Sequence, residues 1–151
     1  MNEEYMREAL KEAEKAFDKG EVPIGAVIVK DGEIIGRGHN LRETSKDPTS
    51  HAEIIAIREA SARVKGWRLM DCEMYVTVEP CPMCAGAIVL ARIPRVFIGT
   101  MDKKSGAAGS VLNVLHNDRL NHRAEVETGC MQDPCESIMK KFFKQLRDRS
   151  Q

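Results

Sequence analysis

The sequence has no net charge to offer: lysine plus arginine and aspartate plus glutamate both number 23. The overall balance therefore points to no class of partner. No apolar run exceeds Ala85 to Ala91, well short of the roughly 20 residues a membrane helix needs, so no membrane partner is expected. There is no internal repeat and no low-complexity stretch. There is no Gly-x-Gly-x-x-Gly either, so the loop holding Gly106 and Gly109 is not a dinucleotide-phosphate fingerprint. No leader is recognisable, because Met1 runs straight into a charged amphipathic stretch, and a cytoplasmic protein is expected. The five cysteines are an odd number, which argues against a disulfide framework and for thiols kept reduced and available to a metal.

What is present fits one domain with a real core: 151 residues, 42% hydrophobic and 30% charged. Charge is uneven along the chain. Lys140, Lys141, Lys144, Arg147 and Arg149 stand against Asp148 alone, which suits either a solvated helix face or a nucleic-acid contact. Met6, Ala9, Leu10, Ala13, Ala16 and Phe17 recur at helical spacing over 3–19, with Asn2 able to cap the start and Gly20 the end. Residues 24–29 and 33–37 read as strands joined by Asp31-Gly32, the signal of a type I′ hairpin. Residues 38–50 read as a loop, 51–65 as a buried helix ended by Gly66, and 72–78 as a strand. A helix over 82–92, a strand over 96–99 and a loop over 101–110 follow. The spacing then predicts a short helix over 111–117 and a strand over 123–127. A final helix is expected with Asp133 at N-cap, Pro134 at N1 and Glu136 at N3, which makes Cys135 a packed first-turn residue. Strand–helix–strand order implies partly parallel pairing beside the antiparallel hairpin.

The chemistry concentrates in Pro80-Cys81-Pro82-Met83-Cys84. Cysteines at i and i+3 of a helix's first turn can reach one ion. The positive helix end favours thiolates, and Pro82 suits the first helical position. A catalytic zinc takes three protein ligands. No second C-x-x-C exists to close a four-sulfur site, and His51 is the best third candidate. His51 alone also reads as a capping or core histidine, and Ser50-His51-Ala52-Glu53 also reads as a capping box. A helix opening His-x-Glu, a strand, and a helix opening Pro-Cys-x-x-Cys form a joint pattern, however. Residues i and i+2 lie about 200° apart around a helix. His51 and Glu53 can therefore share a site only if that helix points its N-terminus at it, and the same holds for the cysteine helix. His116, His122, Cys130 and Cys135 match no familiar zinc spacing.

H-x-E…P-C-x-x-C is the signature of zinc nucleobase deaminases. The wider chain resembles the bacterial tRNA-specific adenosine deaminases, which convert the wobble adenosine of an anticodon to inosine. The resemblance runs through Glu21 to Ala26, His39-Asn40, Pro48-Thr49, His51-Ala52-Glu53, Trp67-Arg68-Leu69 and Tyr75-Val76-Thr77. It continues through Glu79-Pro80-Cys81, Met83 to Ile88, Arg92-Ile93, Gly106 to Ser110, Asn121-His122-Arg123 and Phe142-Phe143. It implies a cytidine deaminase-like α/β fold. This is a single-domain three-layer sandwich over 1–151, with a central mixed five-stranded sheet (antiparallel hairpin plus parallel crossovers) flanked by helices. It implies one Zn2+ per chain held by His51, Cys81 and Cys84, a zinc-activated water, and Glu53 as proton shuttle. Asn40 and the Ala52 backbone would hold the target base. Arg42, Arg68, Asp102, Lys104, Asn121, Phe143 and Arg147 would line the path of a tRNA anticodon stem-loop. The family's members are homodimers.

Two residues depart from the family's habit. Pro82 gives Pro-Cys-Pro-Met-Cys, a form also seen in guanine deaminases, which keeps a free purine base or nucleoside as the alternative substrate. Ser50 stands where the family often has Ala. A zinc-stabilised module without catalysis is a further alternative, in which metal would matter only for folding.

Overall fold

The computed structural model describes residues 1–149. Helix α1 (Glu3–Asp18) opens on Asn2, whose side chain accepts the Glu4 N–H at 2.9 Å. It closes before Gly20, at φ +76°. Strands β1 (Gly25–Lys30) and β2 (Glu33–His39) pair antiparallel through Asp31 and Gly32. Both turn residues have positive φ, 51° and 77°, as a type I′ turn requires. A bulge between Ile28 and Val29 shifts the register.

The region expected to be loop after β2 holds a one-turn helix, α2 (Arg42–Ser45), ended by Lys46 in the left-handed region. Helix α3 (Ala52–Val64) follows, and it is Lys65, not Gly66, that takes the left-handed C-cap. Then come β3 (Cys72–Val78), α4 (Pro82–Ala91), β4 (Arg95–Thr100), β5 (Glu125–Thr128) and α5 (Gln132–Arg149). The sheet order is β2-β1-β3-β4-β5. β1 runs antiparallel to both neighbours, and β3–β4 and β4–β5 are parallel. The expected mixed five-stranded sheet is present.

Alternation along the strands splits the core in two. Ala26, Ile28, Met74, Val76, Val96 and Ile98 face a cluster with Ala52, Ala56, Ala85 and Ile88 from α3 and α4. Val27, Val29, Tyr75 and Phe97 face Met6, Ala9 and Cys135 from α1 and α5, with Tyr75 stacked on Phe97 at 4.4 Å. Each fully buried Val, Ile or Met contributes about 1.5–3 kcal/mol relative to exposure, so both layers are firmly seated.

Two further expectations fail. Residues 111–117 form no helix: the N–H groups of Val111 and Leu112 bond back to Gly106, Val114 bonds to Ala107, and Ala108 bridges Asn113. Their apolar spacing suggests a buried helical face, yet Val111 and Leu112 are 55% and 50% exposed. The last helix starts at Gln132, so Asp133 and Pro134 sit inside its first turn. Met131, at φ +53°, precedes it, and the Cys135 N–H already bonds to Met131 O. Pro134 is tolerated there because first-turn N–H groups lack helical partners. Cys135 is fully buried, as expected. Among the described residues no helix is long and apolar enough to cross a membrane.

Candidate active site

Two helix N-termini meet. His51 is the N-cap of α3, in extended conformation, and its side chain makes no capping bond. Cys81 is the N-cap of α4 and Pro82 its first residue. The capping-box reading of Ser50 and Glu53 does not apply, because the helix starts one residue too late for it.

His51 Nδ1 lies 3.6 Å from Cys81 Sγ and 3.5 Å from Cys84 Sγ. Zinc bonds of about 2.3 Å to sulfur and about 2.0 Å to nitrogen, at a tetrahedral angle, put those atoms about 3.5 Å apart. The donor set of two sulfurs and one imidazole nitrogen is also zinc's own preference. All three ligand atoms lie within 4.8 Å of one another, and this is the one such group among the described residues. His116, His122, Cys130 and Cys135 assemble nothing comparable.

The three cradle groups strongly perturb one another. The Cys81 thiol is lowered to about 4, chiefly by a hydrogen bond from Cys84, against burial and with help from His51. Cys84 is pushed far up by that same bond and by burial. His51 is raised, first by its hydrogen bond with Cys81. Glu53, one residue into α3, is 3% exposed. Burial lifts its carboxyl to about 7, with the Cys81 charge adding to the rise and the Cys84 thiol hydrogen-bonding against it.

A cavity of about 200 Å³ opens in front of these groups. Asn40, Arg42, His51, Ala52, Glu53, Cys81, Asp102 and Phe143 all line it. Asn40 is buried. Its Nδ2 donates to Val22 O at 3.3 Å, and its Oδ1 accepts the Arg42 N–H at 3.1 Å.

Four expected residues stand outside that cavity. Arg68 follows α3 at its far end, about 20 Å along a 13-residue helix at 1.5 Å per residue, with its guanidinium 4.2 Å from the Trp67 ring centroid. Lys104, Asn121 and Arg147 are exposed. Lys104 sits in a turn whose N–H is held by Asp102 Oδ1.

Sequence reasoning missed several wall residues: Val22, Ile24, Val78, Ser105 and Met139. It also missed the buried carboxylates that hold the loops. Glu21 accepts the Glu43 and Thr44 N–H groups at the start of α2. Glu79 accepts from Asp102, Ala108 and Ser110. The one available signal was position, since Glu79 stands two residues before Cys81.

Residues 1–147 match the MafB19-like deaminase family. A tRNA-specific adenosine deaminase of Streptococcus pyogenes serotype M18 is 56% identical over 145 residues, 96% of this chain and 91% of that protein. A solved structure from a study of A-to-I editing by tRNA:A34 deaminases at the wobble position of transfer RNA superposes with a TM-score of 0.87. Its identity is 40%, covering 91% of this chain and 99% of that one. A guanine deaminase structure from Bacillus subtilis reaches a TM-score of 0.65 at 36% identity, covering 91% and 93%.

Proposed function

The chain belongs to the MafB19-like deaminases and, by its likeness to the named relatives, to the tRNA-specific adenosine deaminases, and from that premise we propose that it hydrolyses adenosine to inosine at the wobble position of a tRNA anticodon. The observation that carries the reading is a His-Cys-Cys cradle two of whose members, His51 and Cys81, line one cavity together with the buried Glu53.

His51, Cys81 and Cys84 would hold one Zn2+. Zinc bound there supplies the acidity that lets water act as a nucleophile near neutral pH. Glu53 takes a proton from the water that attacks C6 and passes it to the purine ring, then takes the proton of the new C6 hydroxyl and gives it to the departing amino group, so that adenosine and water become inosine and ammonia. A carboxyl held near 7 by burial can both accept and give that proton. Asn40, with its amide oriented from both ends, and the Ala52 backbone are read as the base-holding groups. The cavity is below the roughly 300–1,000 Å³ of drug-sized sites. That size fits one extruded ring system with the rest of the RNA outside.

Arg42, Asp102 and Phe143 at the cavity, and Arg68, Lys104, Asn121 and Arg147 beyond it, are read as contacts to the anticodon loop, where cations meet phosphates and an aromatic face meets bases. Arg68 cannot reach the same protomer's cavity from the far end of α3. This supports a homodimer, as does the exposed apolar surface of Trp67, Met70 and Leu90. We read residues 1–151 as a single deaminase domain acting in the cytoplasm.

The test is ammonia release from an anticodon stem-loop against free adenosine, guanine and cytidine. Turnover of the stem-loop is expected. Turnover of guanine with inert RNA would select the free-purine alternative, to which the Bacillus subtilis guanine deaminase is the less similar relative.

A further inference from the structure

Glu79 lines the cavity, yet the chemistry above makes no use of it. Its side chain is 4% exposed. Oε1 accepts the Asp102 N–H at 2.9 Å and the Ser110 hydroxyl, and Oε2 accepts the N–H groups of Ala108 at 2.9 Å and Ser110 at 3.1 Å. A carboxylate with about four acceptor positions, all of them taken, has no vacancy for a substrate proton. Glu53 is therefore the one of the two glutamates at the cavity that is left to exchange protons.

All four donors belong to a single segment, residues 102–110. That segment brings Asp102 and Ser105 to the cavity wall. Gly106 passes so close that a Cβ there would fall 2.2 Å from the Glu79 carboxyl, so no side chain fits between them. On its other side Glu79 is covalently tied to the start of α4. Its own N–H bonds to Thr100 O at 2.9 Å, and the Ala107 N–H bonds to Pro80 O at 2.8 Å. The wall segment and the helix that carries Cys81 and Cys84 thus meet at one side chain.

We propose that Glu79 is a positioning residue for the substrate, fixing the 102–110 wall against the start of α4 so that the nucleotides flanking the target base meet a preformed surface. The proposal rests on the stem-loop reading above. Loss of the bonds loosens the wall and leaves the His-Cys-Cys cradle standing. Binding of the parts outside the cavity then suffers while the chemical step does not.

The experiment compares wild type, Glu79→Gln and Ser110→Ala as full-length zinc-loaded proteins. Gln keeps the shape but turns an amide NH2 toward two of the four donors. The loosened wall must then be re-ordered when the stem-loop binds, and a part of the lost bonding equal to about 1.4 kcal/mol appears as a tenfold weaker association. The expected result is a KM for the anticodon stem-loop raised about tenfold with kcat within about threefold, unchanged zinc content, and faster amide hydrogen exchange at Ala108 and Ser110. Ser110→Ala removes one donor and gives a smaller rise in the same direction, which keeps the proposal open to refutation should Glu79→Gln fold poorly. An unchanged KM in folded variants overturns the proposal, as does loss of zinc or a fall in kcat alone. An inert wild type would instead overturn the functional reading, and the substrate role of Glu79 with it.

Discussion

The backbone at Gly38 passes so close to Ala52 that a Cβ on Gly38 would lie 2.3 Å from the Ala52 carbonyl oxygen and 2.9 Å from the Ala56 nitrogen. Strand β2 and the first turn of α3 are in backbone contact, and that turn carries Ala52 and Glu53 directly after His51. Gly38→Ala should therefore cost about 1–3 kcal/mol, as overpacked sites do, and should also lower kcat by displacing the first turn of α3. Urea unfolding and steady-state rates on the same preparation check both parts. Unaltered stability would show that the contact relaxes freely.

Glu53→Gln should keep fold and zinc and lose at least ~10²-fold in kcat, the lower end for an acid–base group. Elemental analysis and single-turnover rates are the measurements. Full activity would remove Glu53 from the proton path.

Cys81→Ala takes away one of the three proposed ligands at the mouth of α4. Zinc should fall from one per chain to a small fraction, while circular dichroism still reports the mixed sheet, because both core clusters are built from residues other than Cys81. Unchanged metal content would withdraw the site assignment.

Acid should destabilise the fold through three carboxylates. Glu12, Glu21 and Glu79 are all buried, which raises them, yet hydrogen bonds and ion pairs bring each below its ordinary value of 4.5. For a lowered group the stabilisation is present above the unfolded value and is lost as pH falls through the folded one. The contribution of these three carboxylates should thus be fully present above about pH 5 and be lost below about 4.5. Glu21→Gln should be less stable at pH 7 and should show a shallower decline, read from thermal melts across pH 3–6. An identical slope would mean that Glu21 is not an ionised cap on α2.

The local signals in the chain were the reliable ones. Asp31-Gly32 specifies its turn by positive φ alone, and Pro-Cys-x-x-Cys specifies a helix start, because both are decided within a few residues. The i, i+2 geometry of His51 and Glu53 was enough to require helix ends pointing at one place, and His51 Nδ1 does meet both sulfurs. Residues 111–117 misled because their apolar spacing mimics a helix while their N–H groups are claimed by Gly106 and Ala107. The clamps at Glu21 and Glu79 were illegible for a related reason. Their partners lie 22 to 31 residues away, where no periodicity operates. The distance of Arg68 from the cavity needed the length and direction of α3, which sequence spacing alone does not convey.

Phe143 separates a base-stacking role from a packing role. It is 40% exposed yet lines the cavity, while its neighbour Phe142 is buried and meets Phe17 edge-on at 6.0 Å. Phe143→Ala should leave the melting temperature nearly unchanged and raise KM for the stem-loop about tenfold, since one base–aromatic stack is worth ~1–3 kcal/mol. Phe142→Ala should do the reverse, with a core loss of about 3–5 kcal/mol at most, given its place at the rim of the α1–α5 contact. The two variants share one helix turn and one chemistry. If they shifted KM and stability alike, Phe143 would be a packing residue and the route of the RNA over α5 would have to be redrawn.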